Sequence, residues 1–302
     1  MKRLFLFPGF AAVVGVLGVV GGCAPSTKVK AGAPVMLTFL VLDPAGAPID
    51  LAPDGGVAKV PPLSKVYALF DRLLDPVPLA QLDAGVPEPR PGVAIIDADG
   101  TAVPSKALYV PNGDPAFTVV PAAFGLPYAN GPSVTITPSE GLPSGAAAVT
   151  VSLDPEKVRS HDQKMRFVVG PDAPETLTFS TESLAATIAV PAPEPPDGGA
   201  GGDVAPPVDP DFVVQVSFNN LTSVATKDEI KVTATVEGAP VTFAAAPAIG
   251  RDVMNPAVWN VTPPTAGWPA GASVTVTVTA AVSDNFQHTL GTAVSASFTV
   301  KP

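Results

Sequence analysis

The 302-residue chain contains a single cysteine, Cys23, and only two histidines, His161 and His288. One thiol cannot form an internal disulfide, so stability has to come from packing and hydrogen bonding. Neither histidine has further His, Cys or carboxylate partners at ligand spacing, so no metal centre and no imidazole base are expected. Both read as solvated residues in corresponding late loops. Charge is scarce, at 15% of residues, and of the wrong sign for nucleic acid. The 17 basic and 27 acidic residues give a net charge of -10, where phosphate binding needs the opposite. Long helices have little room, because 38 prolines and 27 glycines interrupt the chain. No Gly-x-Ser-x-Gly elbow and no Gly-x-x-x-x-Gly-Lys phosphate loop occurs. The expectation is therefore no enzyme, with no catalytic, cofactor-binding or metal-binding residue.

What is present begins with a targeting pattern. Lys2 and Arg3 are the only charges in the first 22 residues, and an apolar run from Leu4 to Val20 follows, broken by Pro8 and Gly9. A basic start, an apolar middle and small residues before a cut describe a secretory signal peptide over 1–22. The run ends in Val20-Gly21-Gly22-Cys23. This resembles the lipobox of bacterial lipoproteins, and the resemblance implies diacylglycerol on Cys23 and cleavage before it. Two or three acyl chains would hold the protein to a membrane far more firmly than one. Ala24, in place of the aspartate that retains enterobacterial lipoproteins in the inner membrane, implies the outer membrane. Residues 23–33 then read as a lipid-anchored tether.

Beyond the tether the hydrophobic period is two. Val274, Val276 and Val278 alternate with Thr275, Thr277 and Thr279, and Phe212 to Asn219, Ile230 to Glu237, Val149 to Leu153 and Leu177 to Phe179 behave alike. Each run predicts an antiparallel strand with one core face and one wet face. Val35 to Leu42 reads as an opening strand. Asp-Gly at 99–100, Asn-Gly at 112–113 and 130–131 and Glu-Gly at 237–238 supply hairpin turns. The chain also repeats itself. Phe70-Asp71 recurs as Phe218-Asn219, and Gly100 to Val103 as Gly238 to Val241. Thr137-Pro138, Gly141-Leu142-Pro143-Ser144-Gly145-Ala146 and Val149 to Val151 recur as Thr262-Pro263, Gly267-Trp268-Pro269-Ala270-Gly271-Ala272 and Val274 to Val276. Both copies close on a Phe strand, at Phe179 and Phe298. Such order-preserving anchors mark a duplication, here with a Pro- and Gly-rich stretch over 186–210 read as a linker.

These anchors, with Asp162 and Asp284 in late loops, resemble the bacterial Ig-like modules of surface-layer and envelope proteins. The implied fold is all-β: two Ig-like antiparallel β-sandwiches, over 34–185 and 211–302, joined by the Pro/Gly linker. The implied function is a lipid-anchored cell-envelope protein serving as a structural spacer or as a protein-interaction and adhesion module. Its partners would be the membrane through Cys23 and an envelope protein or glycan. Two alternatives are a carbohydrate-binding surface lipoprotein and an accessory subunit of an envelope complex. Trp259 and Trp268 are the candidate sugar platform, but their counterparts Val134 and Leu142 favour core packing. Asp97 and Asp99, with Asp71 and Asp75 as possible neighbours, have the start of a calcium-loop pattern but lack its later glutamate, so a hairpin turn is expected there. Asn220 and Asn260 head formal glycosylation sequons that belong to a different secretory context.

Overall fold

The computed structural model describes residues 32–51, 59–75, 93–111, 132–171, 173–191 and 205–302. The signal peptide, Cys23, nearly all of the tether, the Asn-Gly turns at 112–113 and 130–131 and the stretch 192–204 lie outside them. The expected all-β sandwich fold is found. Two hydrophobic cores are each enclosed by two sheets.

In the first sandwich, one sheet has the order β5 (Ser105–Val110), β6 (Ser133–Pro138), β3 (Lys65–Phe70), β1 (Val35–Leu42) and β8 (Val168–Val169). The facing sheet has the order β2 (Lys59–Val60), β9 (Thr176–Thr181), β7 (Val149–Leu153) and β4 (Val93–Ile96). In the second sandwich, β10 (Ala186–Ala189), β11 (Val214–Phe218), β15 (Val258–Thr262) and β14 (Ala248–Arg251) face β13 (Ala239–Val241), β12 (Ile230–Val236), β16 (Ser273–Val278) and β17 (Val294–Thr299). A single helical turn, α1 (Thr226–Glu229), precedes β12. Pairing is antiparallel apart from β1 with β8 and β2 with β9.

The alternation sets the layers. Val274, Val276 and Val278 are wholly buried, while Thr275 and Thr277 face outward and hydrogen-bond Ser297 and Ser295 across the strands at 2.8 and 2.9 Å. Burying each such valine contributes about 1.5–3 kcal/mol relative to leaving it exposed. Turn chemistry sets the register. Glu237 and Gly238 have φ of 51° and 81°, the left-handed pair that a two-residue hairpin between β12 and β13 requires. At 97–101 the expected hairpin is also present. Asp97 Oδ1 accepts from the backbone N–H of Asp99 and of Thr101, and Ile96 pairs with Ala102.

The duplication is visible strand by strand. The order β5-β6-β3-β1 repeats as β14-β15-β11-β10, and β4-β7-β9 as β12-β16-β17. The parallel partner β2 of the first sandwich is matched by a parallel bridge from Val208 to Val300 in the second. One expectation is corrected. Ala186–Ala189, the start of the expected linker 186–210, is strand β10, hydrogen-bonded along its length to β11. Leu184, Ile188 and Val208 belong to the second core. The Pro/Gly-rich stretch therefore falls within the second sandwich in chain order, and only Glu182–Ala185 separate the two sandwiches. The four-residue strand ends two residues before Pro191, and Ile188 is its one large apolar residue, so its alternation is too short to stand out from the proline-rich run.

Candidate functional site: the junction of the two sandwiches

The residues most constrained by their surroundings lie where one sandwich meets the other. Between β6 and β7 the chain makes a tight turn, Gly141-Leu142-Pro143-Ser144-Gly145, with left-handed glycines at both ends (φ 77° and 69°). This turn enters a polar cup built from the β11–β12 and β16–β17 connections of the second sandwich. Asn220 Nδ2 donates to the Leu142 carbonyl and to Ser144 Oγ, both at 2.8 Å. The Ser144 N–H donates to Asp284 Oδ2 at 2.8 Å. The other carboxylate oxygen, Oδ1, accepts from the Phe286 and His288 N–H groups at 2.9 Å each, so Asp284 also shapes its own loop. Asn220 is 0% and Asp284 1% exposed.

Steric fit explains the first glycine. A Cβ on Gly141 would stand 2.0 Å from Asn220 Oδ1, so only glycine lets the turn approach so closely. An apolar plug completes the contact: Phe286, from the second sandwich, packs against the core of the first. The short connection is pinned as well. Asn219 Nδ2 donates to the Ser183 carbonyl, and Asn219 Oδ1 accepts from the Ala185 N–H. This gives the repeated Phe-Asp/Asn anchor a cause. Asp71 does the same in the first sandwich, accepting from the Val35 N–H at 2.8 Å, so each copy uses this residue to fix its opening strand. Asp71 also pairs with the Arg72 guanidinium, which holds the Arg72 pKa above its ordinary value through that hydrogen bond.

His161 and His288 do sit in corresponding loops, but not at corresponding positions. The bridge of Leu74 with Ser160 matches that of Thr222 with Asp284, so the counterpart of Asp284 is Ser160 rather than Asp162. His161 is exposed. His288 is partly exposed and its Nδ1 lies 3.5 Å from Asp284 Oδ2. Asp162 is held below the usual carboxylate range by hydrogen bonds from Ser160 Oγ and the Lys164 N–H. Among the described residues, no group of three His, Cys, Asp or Glu side chains is placed to hold a metal ion.

Trp259 and Trp268 are both buried and offer no stacking face. Their indole N–H groups donate to Thr222 Oγ1 and to the Phe212 carbonyl. Arg251 stacks over the Trp259 ring at 5.0 Å. Asn220 is enclosed, and Asn260 hydrogen-bonds Asp252. What the sequence did not single out is the β14–β15 tip. There Val253 and Met254 are 96% and 93% exposed. The tip is held in shape by Asp252, whose carboxylate accepts from the Met254 and Asn255 N–H groups and from Asn260 Nδ2. Those bonds, the Asn255 one first, hold the Asp252 pKa below its ordinary value. The Val-Met pair lies between the period-two runs, where alternation gives no signal. The chain matches no protein-family model and no curated protein.

Proposed function

We propose that the chain is a lipid-anchored cell-envelope protein whose two Ig-like sandwiches form a stiff spacer, with an interaction tip on the second sandwich at the end that meets the first. The observation that carries the spacer reading is the junction. Both sandwiches run in the same sense. Each opens beside its Asp71 or Asn219 anchor, and the first hands the chain to the second through four residues pinned at both ends. Buried polar groups join the two, and buried groups of this kind are costly to separate, because each would lose its partner. A spacer needs this resistance to bending more than it needs a pocket. The anchoring part rests on Val20-Gly21-Gly22-Cys23. The Val253–Met254 tip supports an adhesion or protein-interaction role, since adjacent apolar side chains held outward on a fixed turn suit insertion into a partner.

The test is of Cys23. Expressed with its full N-terminus in a bacterium, the wild-type chain should partition into the membrane fraction. Its N-terminal peptide should carry the mass of a diacylglyceryl thioether on Cys23. Cys23→Ala should abolish that mass and leave a soluble or uncleaved chain. An unmodified Cys23 in the wild-type protein would remove the anchoring part of the proposal.

A further inference from the structure

The second sandwich carries a copy of the turn by which the first sandwich docks, and among the described residues nothing is docked on it. Gly267-Trp268-Pro269-Ala270-Gly271 repeats Gly141 to Gly145, with φ of 80° and 67° at its two glycines against 77° and 69°. Each turn is tied to its own sandwich by equivalent bonds. Leu142 N–H donates to the Pro62 carbonyl and Trp268 N–H to the Pro210 carbonyl, at 2.7 and 2.8 Å. Gly145 N–H donates to the Glu182 carbonyl, and Gly271 N–H to that of Lys301. The outgoing chain follows the same course in both copies. Thr181 and Glu182 bond back to Ala146 and Val60 as Val300 and Lys301 bond back to Ala272 and Val208. The difference is cover. Pro143 and Ser144 are buried under the second sandwich, whereas Pro269 is partly exposed and Ala270 is exposed.

We infer that the Gly267–Gly271 end of the second sandwich is a docking surface for the near end of another sandwich of the same kind, one that presents an asparagine amide and a buried carboxylate at the places of Asn220 and Asp284. The chemistry is already exhibited inside the chain. The two backbone groups that such a cup takes from the turn are a carbonyl, Leu142 in the first copy, and an N–H, Ser144 in the first copy. Their counterparts are the Trp268 carbonyl and the Ala270 N–H. Only the serine hydroxyl bond to Asn220 has no counterpart, because Ala270 replaces Ser144. This assignment rests on the sandwich geometry and stands whether or not Cys23 is lipidated.

The test extends the chain. Residues 32–300 are followed directly by a second copy of 182–302, so that the added copy leaves Val300 as the original leaves Thr181. Residues 32–302 contain no cysteine, so spin labels at Thr233→Cys in the original and added copies report one distance between the second and third sandwiches. The docked result is a distribution as narrow as that between labels on the first and second sandwiches. Ala270→Arg in the original copy should broaden it, and in the unextended chain, where that side chain is exposed, the same substitution should leave the thermal midpoint unchanged. Ala270→Ser should keep it narrow. A distribution equally broad in the unsubstituted extended chain and in both the Ala270→Ser and Ala270→Arg variants would overturn the inference, and so would a narrow one indifferent to Ala270→Arg.

Discussion

At the scale of single residues, the junction makes different demands on two glycines that look alike in sequence. Gly141 and Gly145 both have positive φ, so alanine at either costs about 1–2 kcal/mol in backbone conformation. At Gly145 a new Cβ meets only Ser183, at 3.6 Å. At Gly141 it would overlap Asn220 Oδ1 and force the turn out of its cup. Gly141→Ala should therefore lower stability by clearly more than Gly145→Ala in urea denaturation, and equal losses would show that the cup yields. Asp284→Ala leaves the N–H groups of Ser144, Phe286 and His288 without their acceptor. Only the Ser144 bond is fully buried, so at about 1–3 kcal/mol for a buried group left unpaired the loss should reach at least about 1 kcal/mol. These roles were half legible. The sequence presents Gly141 to Gly145 as a repeated turn, and Asp284 as a late-loop aspartate. That the two touch, 140 residues apart in the chain, follows from tertiary placement alone.

At the scale of elements, the longer strands lie where the sequence reading puts them. Val35–Leu42, Val149–Leu153 and Ile230–Val236 coincide with the runs read from the sequence. The short ones hid. β2 spans two residues inside a loop-like stretch, and β10 abuts the proline-rich run. β10 also changes what proteolysis should do. Because the chain passes from β10 through 192–204 before reaching β11, a cut there falls inside the second sandwich. A chain nicked at a protease site placed in 192–204 should elute from a sizing column as one species, and its halves should part only in denaturant. Separation of the halves under native conditions would mean that the β10–β11 pairing does not hold them.

At the scale of the whole molecule, duplication has conserved the parts that set shape. The two copies share their left-handed glycines, their buried Phe strands and the Asp71 or Asn219 pin, while Ser160 stands at the position of Asp284 and Leu142 at that of Trp268. The copies therefore differ at their near ends, and among the described residues only the second has the cup that receives a preceding sandwich. The spacer role stands or falls on the stiffness of that joint, and a distance between the two sandwiches measures it. Spin labels at Lys106→Cys and Thr233→Cys, both exposed strand positions, should give a single narrow distance distribution in the chain from Gly32 onward. Asp284→Ala should broaden it while each sandwich keeps its β circular dichroism. A wild-type distribution already as broad as that of the variant would rule out the stiff spacer, because the two sandwiches would then be beads on a flexible joint.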